Sequence, residues 1–369
     1  MSMPATTTSH ALTHGDYGKM SGGRALSMVN RRSFLAGAGS LAAATRTPST
    51  ANQPPRKVIV GTVVQAFWVK HPGLDKRLQE LTGILDRMQA LSQKKYGRGL
   101  DLAILPETVI TGEGGGETLV RSVAWDGPVG DTFARKAREM GAYLIVPTYL
   151  RDAANRCSNA AVLVNRKGHL MGTYRKVHLV PSADGKIFEG GATPGDAFPV
   201  FDCDFGKLGI QICYDMEFEP GWRELANKGA ELIAWPTQSP QTAHPAARAL
   251  QQRCYIVSST WRDNASVFEP TGKLIAQVRT DGDVLAQEID LSYAILPWTS
   301  KLRRGEALKE KFGDKVGFRY YHEEDLGMFW SNDPKMPIRQ MAQSLGLVEA
   351  EDELERVRQC YRQAGVSGY

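Results

Sequence analysis

The sequence lacks the patterns that mark a metal site, a nucleic-acid surface or a membrane span. No two cysteines have CxxC spacing, no histidine stands at ligand spacing from them, and an odd total of five cysteines argues against a disulfide framework. The net charge of +5 is spread along the chain, without a basic stripe interleaved with aromatic residues. No apolar run is long enough to cross a bilayer. We therefore predict no metal, no organic cofactor, no nucleic-acid partner and no stable membrane insertion.

The first 56 residues do not have the pattern of a folded domain. Arg31 and Arg32 precede Ser33-Phe34-Leu35 and a short stretch rich in Gly and Ala, which resembles a twin-arginine export signal. A linker interrupted by prolines follows this stretch. The arrangement predicts a periplasmic or secreted protein. The alternative is a cytoplasmic protein with a disordered N-terminus and an accidental arginine pair.

A strand–cysteine–helix–strand unit is predicted around Cys213. Residues 208–212 form an apolar run typical of a buried strand, and the thiol follows where that strand would end. After Tyr214 and Asp215 a helix is predicted through Trp222 to Lys228, where Gly229 is a stop signal, and residues 232–235 predict the next strand. Open α/β sheets carry their sites at the carboxyl ends of strands, so this thiol is a candidate nucleophile. Taken alone, a buried cysteine is more often a small packing residue.

Two upstream stretches have the same form, a strand that ends at a charged side chain. Glu107 follows the apolar run 102–105 and a proline, and Lys176 lies in GTYRKVHLVP. Glu, Lys and Cys in this order and setting resemble the nitrilase superfamily of carbon–nitrogen hydrolases. The stretches NAAVLVNRKGHLMGTYRKVHL and ASVFEPTGKLIAQ are similar to further parts of the same family.

The resemblance implies an α/β protein with the α-β-β-α sandwich of that superfamily, built from residues 57–298 as one domain. Apolar residues recur every three to four positions over 74–96 and share one face over 128–140, which predicts two helices. Residues 299–369 extend beyond the domain and contain a predicted helix over 349–363 with one apolar stripe. We expect this extension to pack on the core or on a partner subunit, because the resemblance implies a homodimer or a higher homo-oligomer.

The three charged or nucleophilic residues match the needs of amide cleavage, which requires a nucleophile, a base and a positive group for the oxyanion. We predict Cys213 as the nucleophile and Glu107 as the acid and base. Lys176, together with the backbone N–H of Tyr214, is the predicted oxyanion stabiliser. The neighbouring cation and a helix N-terminus are expected to favour the thiolate over the thiol.

The resemblance also implies a second carboxylate between the lysine and the cysteine. In VPSADGKIFEGG the candidate is Glu189, with Asp184 as the less favoured choice and a solvated loop glutamate as the structural alternative. Asp215 is expected to hold the turn after the nucleophile, and His178 to be structural. The other cysteines are predicted to be packing residues: Cys157, Cys203, Cys254 and Cys360.

Four residues close to the nucleophile or at the end of the next strand are predicted to bind substrate: Tyr214, Trp235, Thr237 and Gln238. Arg262 could pair with a substrate carboxylate, but a loop-capping role is the preferred interpretation. The order Cys-Tyr-Asp at the nucleophile is similar to amidase and carbamoylase branches, whereas nitrilases proper tend to have Cys-Trp-Glu.

The sequence therefore predicts a hydrolase that cleaves a non-peptide carbon–nitrogen bond in a small linear amide or N-carbamoyl compound, through a cysteine thioester. Three alternatives stay open. They are a nitrilase, an acyl or amide transferase that uses the same thioester, and a non-catalytic binding protein on the same fold. The expected partners are a small-molecule amide, carbamoyl or nitrile substrate and a second copy of the chain.

Overall fold

The computed structural model describes residues 55–68, 70–112 and 117–367, and the predicted export signal lies outside these residues. Among the helices of the described ranges, none has both the length and the apolar character needed to cross a bilayer. The α-helices of this part of the chain are α1 (Leu74–Tyr96), α2 (Thr118–Arg121), α3 (Pro128–Met140), α4 (Glu219–Asn227), α5 (Ala243–Gln252), α6 (Glu306–Phe312), α7 (Ile338–Gln343) and α8 (Ala350–Gln363).

The strands of the same ranges are β1 (Lys57–Val63), β2 (Leu102–Ile104), β3 (Tyr143–Arg151), β4 (Cys157–Val164), β5 (Leu170–Arg175), β6 (Val200–Cys203), β7 (Gly206–Ile210), β8 (Leu232–Pro236), β9 (Tyr255–Ser259), β10 (Ala265–Phe268), β11 (Leu274–Val278), β12 (Val284–Asp290), β13 (Tyr293–Pro297), β14 (Val316–Tyr321) and β15 (Leu326–Ser331). The first sheet has the order β12-β1-β2-β3-β4-β5, and the second has the order β11-β10-β9-β8-β7-β6. Both sheets share one plan, because β1 to β3 and β7 to β9 run parallel while the flanking strands are antiparallel.

The two sheets pack face to face over a shared apolar core. Val60 and Ile104 from the first sheet are buried in one cluster with Ile210 and Val257 from the second. Helices α1 and α3 pack against the other face of the first sheet, and α4 and α5 pack against the other face of the second. The predicted α-β-β-α sandwich is confirmed.

Helix α1 shows why the apolar pattern predicted the helices well. Leu81, Leu85 and Met88 are fully buried, so the repeat of three and four residues forms the inner face of the helix. The helix ends at Gly97, whose left-handed φ of 69° lets its backbone N–H bond the carbonyl of Gln93. Both α1 and α3 have the predicted bounds.

The C-terminal extension forms a third sheet together with a strand of the predicted domain. The order is β13-β15-β14, and α6 and α7 pack on this sheet. All of β13 is paired with β15, which belongs to the extension. Glu269, at the end of β10, is fully buried and binds Arg319 and Tyr321 of β14. The extension therefore contacts the core of its own chain.

Helix α8 matches the predicted C-terminal helix, but its apolar stripe is exposed. Leu354 and Tyr361 are each 44% exposed, and α8 has no buried side chain. Cys360 lies exposed on this helix, whereas Cys157 and Cys254 are buried. The packing role predicted for Cys360 is wrong, because α8 lies at the surface of the described structure.

Candidate active site

The three predicted catalytic residues follow strands that end at the same edge of the sandwich. Glu107 follows β2, Lys176 follows β5 and Cys213 follows β7. The sheets are joined at this edge, where the Ser259 hydroxyl donates a hydrogen bond to the carbonyl of Ile104 at 2.9 Å. The charges of Glu107 and Lys176 both act on the pKa of the Cys213 thiol, so the three side chains lie within electrostatic range of one another.

Lys176 lies between two carboxylates. Its Nζ donates hydrogen bonds to Glu107 Oε1 at 2.9 Å and to Glu189 Oε1 at 2.6 Å. The lysine side chain is 1% exposed and the two glutamates are 3% and 8% exposed. Burial opposes the charge of the lysine, yet the charges of Glu107, Cys213 and Glu189 raise its pKa well above the ordinary value. Lys176 is therefore a fixed cation.

The second carboxylate predicted beside the lysine is placed there by a strained turn. Glu189 has a positive φ of 39°, an uncommon conformation for a residue with a side chain. Its Oε1 also accepts a hydrogen bond from the backbone N–H of Val180 at 3.2 Å. Asp184 is exposed and accepts a hydrogen bond from Ser182 at 2.6 Å, so the alternative candidate lies outside this cluster.

Asn159, on β4, is a member of the cluster that the sequence analysis missed. Its Nδ2 donates to Glu107 Oε1 at 2.8 Å and to Glu189 Oε2 at 2.9 Å, and the residue is 1% exposed. The amide therefore links the two carboxylates. The available signal was an asparagine within the otherwise apolar run of β4, since fully buried polar residues are uncommon.

Two buried atoms of this cluster have no hydrogen-bond partner among the described residues. They are Oε2 of Glu107 and Oδ1 of Asn159. An unpaired buried acceptor costs about 1–3 kcal/mol, so such atoms in a native fold call for an explanation. The other oxygen of Glu107 is bound by both Lys176 and Asn159. Glu107 thus has one occupied oxygen and one free oxygen.

The pKa of Glu107 is raised above its ordinary value. Burial is the main cause, the charge of Lys176 opposes the shift, and the charge of Glu189 adds to it. A carboxyl group with a raised pKa accepts a proton more readily at neutral pH than an ordinary one does. Its environment therefore suits a group that both takes up and returns protons.

Cys213 lies on a sharp turn between β7 and α4. Its φ of 43° is in the left-handed region, and residues Cys213–Glu217 form a short 3-10 helix. The α-helix begins only at Glu219, because Phe218 between the two helices is extended. The α-helix predicted after Tyr214 and Asp215 is present, and its end at Lys228 and the proline in its first turn agree with the sequence.

The surroundings of the Cys213 thiol raise its pKa. Burial raises the pKa of Cys213 to about 12, and the charge of Glu107 adds to the shift. Lys176 and hydrogen bonds from the Thr237 hydroxyl and the Gln238 backbone N–H act in the opposite direction without outweighing it. The prediction that the site favours the thiolate is wrong, because burial and a nearby carboxylate exceed the effect of one cation.

Asp215 connects the cysteine turn to the lysine segment. Its Oδ2 accepts hydrogen bonds from the backbone N–H of Ile212 at 2.9 Å and from the Tyr174 hydroxyl at 2.7 Å. Its Oδ1 accepts from the backbone N–H of His178 at 2.9 Å and lies 2.8 Å from the ring nitrogen Nδ1 of the same residue. Tyr174 and His178 stand on either side of Lys176, so Asp215 fixes the lysine and the cysteine relative to each other.

The residues predicted to bind substrate occupy different depths. Tyr214 is 37% exposed and packs edge to face on Phe218. Trp235 is fully buried below the nucleophile, where its Nε1 donates to the carbonyl of Cys213 at 3.1 Å. Thr237 and Gln238 contact the sulfur, as described above. Their contacts with a substrate stay predictions.

Trp261 and Arg262 are adjacent residues after β9, but they differ in burial and in the groups that they contact. The Arg262 guanidinium is exposed and pairs with neighbouring Asp263 at 3.1 Å, in agreement with the preferred loop role. Trp261 is fully buried, and its Nε1 donates to the backbone carbonyl of Glu107 at 2.7 Å. The sequence analysis missed this support for the base, since tryptophan at a strand end gives no signal of what it contacts.

The sequence is similar to those of known carbon–nitrogen hydrolases and amidases. The family model described as carbon–nitrogen hydrolase matches residues 62–296. Omega-amidase NIT2-A of Xenopus laevis is 30% identical over 230 residues, which are 57% of this chain and 83% of the relative. Deaminated glutathione amidase of Rattus norvegicus is 29% identical over 232 residues, which are 55% of this chain and 71% of the relative.

A solved structure has the same fold. Nit3 of Saccharomyces cerevisiae, a member of branch 10 of the nitrilase superfamily, superposes with a TM-score of 0.54 at 20% sequence identity. The match covers 66% of this chain and 92% of the yeast protein.

Proposed function

The chain belongs to the carbon–nitrogen hydrolase family and is a hydrolase of carbon–nitrogen bonds other than peptide bonds, and from this premise we propose that it cleaves a small linear amide through a thioester on Cys213. In this proposal Glu107 carries the protons and Lys176 stabilises the oxyanion. Glu189 holds the lysine in place.

The environment of Glu107, with its raised pKa and one free oxygen, is the observation that supports this proposal most strongly. A buried carboxylate with a raised pKa and one free oxygen stands near a half-buried thiol and a buried ammonium group. A thiol with a raised pKa needs a base at the moment of attack, and a carboxylate with a free oxygen can supply it. No other described group combines these properties with Cys213.

The first half-reaction forms the thioester. The Cys213 sulfur attacks the amide carbon while its proton passes to Glu107, and the electron pair of the carbonyl π bond moves to the oxygen beside Lys176. The C–O double bond then reforms and the C–N bond breaks. Glu107 returns the proton to the departing nitrogen, which leaves as ammonia or an amine, and the acyl group stays on the sulfur.

The second half-reaction releases the acid. Water attacks the thioester carbon and gives a proton to Glu107, with the oxyanion again beside Lys176. The C–S bond breaks as the carbonyl reforms, and the proton returns to the Cys213 sulfur. The product is a carboxylic acid, and the enzyme regains its starting protonation state.

An amide is the favoured substrate class for two reasons. The relatives named above are called amidases, and the Cys-Tyr-Asp order at the nucleophile resembles amidase and carbamoylase branches. N-carbamoyl compounds stand next in this proposal, and nitriles after them. Transfer of the acyl group to an amine would use the same thioester.

Export and assembly are further proposals. The twin arginines at Arg31 and Arg32 support export to the periplasm or the medium, and fractionation of cells that express the full chain or an Arg31→Lys/Arg32→Lys variant tests it. The family resemblance supports a homodimer or a higher homo-oligomer, and light scattering of the purified protein tests it.

Intact-mass spectrometry tests the proposed mechanism. The protein is incubated with a panel of linear amides, N-carbamoyl amino acids and nitriles, and ammonia release is measured in parallel. We expect an acyl adduct on the wild type and none on Cys213→Ala, and the mass of the adduct identifies the acyl group. An adduct that persists in Cys213→Ala, or turnover by that variant, would show that the nucleophile lies elsewhere.

Added hydroxylamine separates hydrolysis from acyl transfer. A strict hydrolase yields the carboxylic acid with little hydroxamate, whereas an acyl transferase yields hydroxamate at the expense of the acid. Product analysis by mass spectrometry gives the ratio of the two directly.

A further inference from the structure

Among the residues that the structure describes, Asn159 is the one neutral side chain that donates hydrogen bonds to both carboxylates of the cluster. Its two hydrogen bonds, at 2.8 Å to Glu107 Oε1 and 2.9 Å to Glu189 Oε2, both come from Nδ2. Two carboxylate oxygens require a donor, so the orientation of the amide is fixed by chemistry. This orientation leaves Oδ1 buried without a partner in the described structure. The Asn159 side chain therefore binds both carboxylates through Nδ2, while its own Oδ1 has no hydrogen bond among the described residues.

The two oxygens of Glu107 differ because of this contact. Oε1 accepts hydrogen bonds from both Lys176 and Asn159, while Oε2 has no partner among the described residues. Lys176 alone cannot fix which oxygen is free, because its three N–H donors rotate and it is also bound to Glu189. Asn159 lies on β4, where its backbone pairs with Tyr149 of β3. Its side chain therefore donates to Oε1 of Glu107 from a fixed position.

We propose that Asn159 is a positioning residue that binds Oε1 of Glu107 and so leaves Oε2 as the only oxygen that exchanges protons with Cys213 and the substrate. The inference rests on the proposed function, because it assigns the proton-carrying role of Glu107 to one of its two oxygens. It adds a residue that acts through Glu107 and does not itself touch the reacting atoms.

The hydrogen bond also sets the conditions under which Glu107 can act as a base. A donor at Oε1 favours the ionised carboxylate, and Asn159 is one of the groups that lower the pKa of Glu107 against the effect of burial. Loss of this donor therefore has two consequences. The carboxylate is free to rotate, and it becomes ionised only at a higher pH.

The test measures alkylation of Cys213 by iodoacetamide as a function of pH, read from the mass of the peptide that contains this residue. This probe needs no knowledge of the natural substrate. We compare the wild type with Asn159→Leu, which keeps the branched shape and the number of side-chain heavy atoms but has no N–H, and with Glu107→Gln. Thr148→Val is the matched control, since Thr148 is fully buried next to Tyr149 on β3 and its side chain points to the opposite face of the strand.

In the wild type we expect the alkylation rate to rise with pH as Glu107 becomes ionised. This rise is called the limb of the profile, and we expect it to disappear in Glu107→Gln. In Asn159→Leu the limb is expected at higher pH, with a rate about 10- to 100-fold lower at neutral pH, as for other small misplacements of a reacting group. Thr148→Val is expected to keep the wild-type profile.

The outcomes separate the two proposals. A limb that persists in Glu107→Gln overturns the role of Glu107 and the inference with it. A limb that disappears in Glu107→Gln but is unshifted in Asn159→Leu overturns the inference alone, as does an equal shift in Thr148→Val. A loss of rate at every pH together with a lower unfolding temperature would assign Asn159 a purely structural role.

Discussion

Two buried carboxylates of this protein are held in opposite ways. Glu269 has partners on both oxygens: Oε1 accepts hydrogen bonds from Tyr321 at 2.7 Å and Thr271 at 2.6 Å, and Oε2 accepts two from Arg319, from Nε at 2.9 Å and from Nη2 at 2.5 Å. Glu107 is almost as deeply buried, yet only its Oε1 has partners in the described chain. The first carboxylate joins the C-terminal extension to the core, and the second lies beside the candidate nucleophile.

Burial alone therefore does not show whether a carboxylate serves the stability of the fold or the transfer of protons. A buried carboxylate whose two oxygens both accept hydrogen bonds is fully satisfied, so its contribution is to the stability of the fold. A carboxylate with a free oxygen keeps its capacity to bind a proton, and the unpaired oxygen lowers the stability of the fold. Glu107 and Glu269 should therefore respond to the same substitution in opposite ways.

The largest expected effect is the loss of activity in Glu107→Gln. Removal of a general base costs about 10²- to 10⁴-fold in kcat, and the glutamine amide keeps the size of the side chain. The measurement is ammonia release from an amide found in the substrate panel, with thermal unfolding as the control. Activity within a few-fold of the wild type would mean that Glu107 resembles Glu269 in role as well as in burial.

Glu269→Gln is expected to show the reverse result. The free energy of unfolding should fall by about 1–3 kcal/mol, because the hydrogen bonds of Arg319 and Tyr321 lose their charged acceptor. The kcat per folded molecule should be unchanged. Denaturant unfolding and active-site titration check the two parts, and a large loss of kcat in the folded variant would contradict the division between the two carboxylates.

The pH profile sharpens the same comparison. Because the pKa of Glu107 is raised and the base must be ionised, kcat/KM should be lost on acidification at a pH above the range of ordinary carboxyl groups. Below this limb the rate should fall about tenfold per pH unit. A steady-state profile measures the limb, and the Glu269→Gln variant serves as the control that should keep it. A limb in the ordinary carboxyl range would contradict the environment described for Glu107.

The smallest expected effect is that of Tyr321→Phe. This change removes one of the hydrogen bonds of Glu269 and should lower the free energy of unfolding by about 0.5–1.5 kcal/mol, without any change in kcat. Thermal unfolding at constant pH measures it. A loss larger than that of Glu269→Gln would show that the tyrosine contributes mainly through packing and not through the carboxylate.

The sequence predicted those parts of the protein that depend on local pattern. Helix α1 was predicted because its apolar repeat matches the turn of a helix and Gly97 ends it, and the sandwich fold followed from the order of Glu107, Lys176 and Cys213 at strand ends. The placement of Glu189 beside the lysine was also predicted, although a positive φ at this residue gives no signal in the sequence.

The features that were missed depend on contacts between distant segments. Asn159 lies 52 positions from Glu107, and Trp261 lies 154 positions from it, so neither contact has a local pattern. The direction of the Cys213 pKa was wrong for a similar reason, because the extent of burial around a thiol is a property of the whole fold.

The third sheet limits how the gene for this protein can be rearranged in evolution. The family match ends at residue 296, inside β13, and every residue of that strand is paired with β15 of the extension. A rearranged gene that ended near residue 298 would leave β13 without its partner strand and free to pair with other chains. We therefore expect the extension to be inherited together with the catalytic domain as one unit, and not to be exchanged as a separate module.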